Sequence, residues 1–172
     1  MWFFIKFYNE IKKIKKIFKN QIDLNMAVER TIEVFITFFL AMIGYAGLTA
    51  TLLLSLKRKV PVLFWRIVAL IILVHVFMVW NYYYEWQLSL AVRNGYAGFI
   101  IFHSALLLIL YSIVVKESTA KILIRISFII VTLGALGASF RYDVVTIYMV
   151  PVIICALAGS SGLLWSYYKK KL

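Results

Sequence analysis

The sequence predicts an all-α integral membrane protein: a bundle of five transmembrane helices preceded by a basic amphipathic N-terminal helix. Three observations predict it. The 172 residues are 64% hydrophobic and only 15% charged, with a mean hydropathy of +0.92, which leaves too little polar surface for a soluble domain of this size. Several apolar runs approach or exceed the ~20 residues that cross a hydrocarbon core of ~30 Å. Short clusters of Lys and Arg punctuate those runs.

Residues 1–28 form the amphipathic interfacial segment and residues 29–172 the transmembrane domain. In the first segment Ile11, Ile14, Ile17, Phe18 and Ile22 share one side of a helix, while Lys12, Lys13, Lys15, Lys16 and Lys19 take the other. Such a helix lies in the headgroup layer with its lysines toward anionic lipid. The composition changes abruptly at Met26, which makes residues 1–25 separable from the bundle and Met26 an alternative start. It is not a secretory signal, because it lacks an uninterrupted apolar core before a small-residue cleavage site.

The five spans are expected at about 31–56, 60–81, 96–115, 122–140 and 144–167. The first carries Gly44, Ala46, Gly47 and Ala50, a patch that lets another helix approach closely. Pro61 falls in the first turn of the second span, where a missing N–H does no harm. Tyr82, Tyr83, Tyr84 and Trp86 give the connector 81–95 the aromatic composition of a membrane interface. The fourth span holds Arg125 near one end and Gly134, Gly137 and Ala138 near the other. Pro151 is expected to kink or loosen the fifth.

Orientation follows from the loops. Lys57, Arg58, Lys59, Lys116, Lys121, Lys169, Lys170 and Lys171 gather at one set of span ends, against Arg93 and Arg141 at the other. The positive-inside rule then makes a multi-pass cell-membrane protein with its C-terminus cytoplasmic and its N-terminus outside. The lysines of residues 1–25 pull the other way, and the three agreeing loop segments outweigh them. The partner of these charges is the lipid bilayer and not nucleic acid, since lysines at span ends set topology.

The usual enzymatic signatures (HExxH, CxxC, G-x-S-x-G, a phosphate-cradling glycine loop) are missing from the sequence, and no catalytic residue is assigned. Cys155 is the single cysteine, which rules out an intramolecular disulfide or a cysteine cluster for zinc. Ser160 and Ser161, in AGSSG, read as helix-packing residues.

The chemistry that remains is a pair of histidines. His75 and His103 lie on consecutive spans, six residues before Asn81 and eight after Gly95, so their expected depths are roughly 9 Å and 12 Å below one face. A histidine inside a span is a functional candidate by default. Two such rings can ligate the iron of haem b, with Gly134, Ala135, Gly137, Ala138, Gly98 and Ser104 leaving room for the macrocycle and Arg93 and Arg141 meeting the propionates. Alternatively each ring bonds a carbonyl or tyrosine across the bundle. Glu85, Arg93, Arg141 and Asp143 are expected to pair across the outer loops, Arg141 with Glu85 and Asp143 with Arg93, as a surface lattice.

The residues LVHVFMVW around His75 resemble the histidine-bearing helices of small haem or copper membrane families of the copper-resistance-D kind. That resemblance covers eight residues and implies a haem or metal site. Three functions stay open: a b-type haem electron-transfer protein using His75 and His103, a non-catalytic membrane subunit or assembly factor with other membrane subunits as partners, and a small proton-coupled transporter.

Overall fold

The computed structural model describes residues 32–57, 59–93, 95–141 and 146–169. The expected amphipathic segment lies outside the described residues, as do Arg58, Asp143, Lys170, Lys171 and the side chain of Arg141. The proposed pairings of Arg141 and Asp143 therefore also fall outside them.

Among the described residues, five helices are long and apolar enough to cross a membrane. They are α1 (Ile32–Lys57), α2 (Val62–Met78, prolonged by a π turn at Val79–Tyr83), α4 (Tyr96–Val114), α5 (Glu117–Arg141) and α6 (Met149–Lys169), with α3 (Leu88–Ala91) a single turn in the connector. The expected spans match these to within a few residues, and the departures have local causes. Helix α2 starts just after Pro61, whose carbonyl accepts the Trp65 N–H at 2.9 Å, so the proline caps the helix from outside. Helix α5 begins at Glu117, five residues before the apolar run, because hydropathy marks where lipid starts and not where the helix does. Pro151 sits in the first turn of α6. The expected kink is thereby corrected: the turn forms, Val152 N–H bonding Tyr148 O at 3.0 Å, and the missing proline donor is one that no carbonyl would have met.

Helix α1 is the centre of the bundle. Some 39% of its most apolar window is buried, against 17% for α2, α4 and α6. Its small residues set the spacing to α2: a Cβ on Gly44 would lie 2.7 Å from Ile72, and one on Gly47 2.6 Å from Val68. On another side Tyr45 stacks over Phe128 of α5 at 6.0 Å and exchanges a 2.8 Å hydrogen bond with Thr132. Gly162 of α6 lies under Leu53 of α1, and Gly159 of α6 under the Phe128 ring. Helix α4 closes the outside between α2 and α5, with Trp65 Nε1–H donating to Ser112 at 2.9 Å and Phe102 filling the space over Gly134.

The burial pattern suits a lipid solvent. Thr37, Thr49, Thr51, Ser55, Ser112 and Ser127 are buried, while Leu63, Leu70, Leu107, Val114 and Leu133 are exposed. Outward apolar side chains lose nothing in hydrocarbon, and each of these hydroxyls except that of Ser127 has a hydrogen-bond partner inside. The AGSSG stretch is corrected in detail: Gly159 is the buried packing residue, while Ser160 and Ser161 are exposed.

The loops sort into two ends. Val60 N–H bonds Glu117 Oε1 at 3.3 Å, and Gly162 packs near Leu56. These contacts gather Lys57, Lys59, Lys116, Lys121 and Lys169 at one end of the bundle. At the other, Phe38 meets Tyr83 and Phe35 meets Tyr148. The bundle thus has a basic end and an aromatic end.

Candidate functional site

The two histidines lie toward the aromatic end, and the structure gives them separate partners. His75 comes from the last turn of α2, half-buried, with its Nδ1 2.8 Å from the Thr37 carbonyl of α1. A carbonyl only accepts, so Nδ1 carries the proton and Nε2 keeps its lone pair. The bond bridges α2 to α1, beside the apolar contacts of Gly44 with Ile72 and of Gly47 with Val68. His103, in α4, has its Nδ1 2.8 Å from the Phe99 carbonyl one turn earlier. Its Nε2 accepts the Trp80 indole N–H at 3.1 Å. Both constraints demand the same neutral tautomer, with the proton on Nδ1, and together they engage both ring nitrogens.

Trp80 reaches His103 because of the backbone around it. The π turn at Val79–Tyr83 widens the end of α2, an irregularity that concentrates at functional positions in helices. Glu85 and Trp86 then adopt φ values of 48° and 58°, left-handed conformations that cost a non-glycine residue about 1–3 kcal/mol each. This reversal folds Trp86 back over the turn. Its ring stacks with Trp80 at 5.9 Å and meets the edge of Phe77 at 5.2 Å, and its indole N–H donates to Asn81 at 3.2 Å. Tyr84 meets Trp80 at 5.7 Å, and Phe99 stacks on the His103 ring at 4.0 Å. The strained turn thus holds one indole in place, and that indole holds one imidazole.

Metal or haem would have to use the same atoms. An iron–imidazole bond needs the Nε2 lone pair that Trp80 now occupies on His103. The two imidazoles are held by different partners, His75 by the Thr37 carbonyl of α1 and His103 by Trp80 and the Phe99 carbonyl. Of the room expected for a macrocycle, the space at Gly134 is filled by Phe102, while Gly98 and Gly137 have nothing within 4 Å of an added Cβ. Arg93 is exposed in the turn after α3, and Arg141 ends α5. Among the described residues, no group of three or more His, Cys, Asp or Glu side chains could hold a metal ion.

Sequence reasoning missed several polar contacts. Tyr45–Thr132, Trp65–Ser112 and Trp80–His103 each join two elements. For Trp65–Ser112 the available signal was an N–H and an O–H on two consecutive apolar spans at similar distance from their shared connector. Two buried side-chain atoms have no hydrogen-bond partner among the described residues: Nε of Arg125 and Oγ of Ser127. No protein-family model matches the chain, and comparison with curated proteins and with solved structures finds no match either.

Proposed function

We propose that the chain is a non-catalytic membrane subunit, a five-helix scaffold in which both histidines fasten neighbouring elements. The observation that carries this reading is the engagement of His103 through both ring nitrogens. His75 supports it by bridging α2 to α1. Gly98 of α4 and Gly137 of α5 add to it, because they leave shallow openings where the helix of another subunit can come close. Under this reading the partners are the bilayer and other membrane polypeptides. The basic end faces the cytoplasm, with the C-terminus inside and the N-terminus outside.

The competing haem b reading, with His75 and His103 as ligands and Arg93 and Arg141 at the propionates, requires Trp80 to leave His103. A visible spectrum separates the two. Protein purified in detergent from haem-replete cells is expected to show no Soret band, and a crosslinker placed at Gly137 is expected to trap a second membrane polypeptide. A Soret band that shifts on dithionite reduction and disappears in His75→Leu or His103→Leu would replace the scaffold reading by the haem one.

A further inference from the structure

Arg125 carries a charge within a helix long and apolar enough to cross a membrane, and its Nε has no acceptor among the described residues. Its Nε is buried without a hydrogen bond, while the residue as a whole is only half-buried. Buried donors in folded proteins are almost always answered, and an intramembrane arginine more strictly than most. The one acidic side chain near it along α5, Glu117, is already engaged. Its Oε1 takes Lys121 Nζ at 3.2 Å and the Val60 N–H at 3.3 Å.

The position of Arg125 says where its anion comes from. It lies three residues inside the apolar stretch that begins at Ile122, about 4.5 Å along the helix. Side chains of a helix lean toward its N-terminus, and the N-terminus of α5 is at the basic end. From this depth a snorkelling arginine can reach the headgroup layer. The same end of the bundle carries Lys57, Lys59, Lys116 and Lys121, and its described acid, Glu117, pairs with Lys121 and also feels the charge of Lys59.

We propose that Arg125 anchors a binding site for the phosphate of an anionic phospholipid headgroup at the basic end of the bundle. A phosphate oxygen accepts from guanidinium nitrogens in the bidentate manner that suits arginine. A small outward swing of the side chain brings Nε into that bond as well. The surplus lysines select a headgroup with net negative charge over a zwitterionic one, whose own ammonium already balances its phosphate.

The test uses the full chain, delipidated in detergent and titrated with phosphatidylglycerol, phosphatidylcholine or inorganic phosphate while bound lipid is read by native mass spectrometry. Wild type is expected to hold phosphatidylglycerol in preference to phosphatidylcholine. R125Q is expected to weaken phosphatidylglycerol binding about tenfold, the loss of one charge-assisted contact. R125K, which keeps the charge without the fork, should fall between and serves where R125Q does not insert. K169Q, at the same end, should bind as wild type. Unchanged binding in both Arg125 variants, or equal binding of the two lipids by wild type, would overturn the proposal. Displacement of the lipid by inorganic phosphate would overturn the lipid assignment in favour of a free anion.

Discussion

At the residue scale the most consequential contact is the one between Trp80 and His103. His103 donates from Nδ1 and accepts at Nε2, so removing the ring leaves the Trp80 indole N–H without its acceptor. His103→Leu is therefore expected to release Trp80 and shift its emission, read in a protein whose other four tryptophans are Phe. An emission unchanged by that substitution would contradict the bond between Trp80 and His103. Both histidines were legible as the residues to watch, since their cost in a span is a property of the letter alone. Their partners were not. A partner depends on how each helix is rotated about its axis, and α2 and α4, apolar nearly all round, carry no polar face from which rotation can be read.

At the element scale, close approach is decided by single glycines. An added Cβ at Gly159 would overlap the Phe128 ring, whereas one at Gly137 meets nothing within 4 Å. Gly159→Ala is expected to destabilise the bundle by about 1–3 kcal/mol, the usual cost of overpacking, and Gly137→Ala to leave it nearly unchanged. Thermal or SDS-induced unfolding of the two variants checks the difference, and equal stabilities would mean that α5 and α6 are not held at this spacing. The sequence pointed to the right turn of α6, because small letters cluster there, but not to the right letters within it. Gly159 and Ser160 are both small, and one helical step of 100° separates the buried position from the exposed one. The spans themselves were legible to within a few residues because lipid imposes their length. The π turn and the left-handed pair at Glu85 and Trp86 were not, since no glycine or proline marks them.

On the scale of the whole molecule, the two ends of the bundle differ in charge, and the orientation proposed above rests on that asymmetry. With Cys155 replaced by Ser, single cysteines at Ser118 and Asn94 are expected to react with an impermeant maleimide differently in intact cells: position 94 labelled, position 118 protected until the membrane is opened. Labelling of 118 from outside would invert the molecule. The contacts joining Val60 to Glu117 and Gly162 to Leu56 already tie the lysine-bearing ends together, so the bundle can be inverted only as a unit.

Helix α1 has one more consequence, for how such a chain is made. Its buried hydroxyls largely answer themselves: Thr37 bonds Glu33 O at 2.7 Å, Thr49 bonds Tyr45 O at 2.9 Å, Thr51 bonds Gly47 O at 2.8 Å and Ser55 bonds Leu52 O at 2.7 Å. A segment whose polar groups close on its own backbone can leave the translocation machinery and wait in lipid without a neighbour. The most enclosed helix of the finished protein is therefore also one that can stand alone while the ribosome is still translating those that will surround it. The Tyr45 hydroxyl is the exception: its partner, Thr132, is synthesised 87 residues later. The central helix is then a post set first, and the arrival of α5 at that hydroxyl marks the stage at which the assembly closes around it.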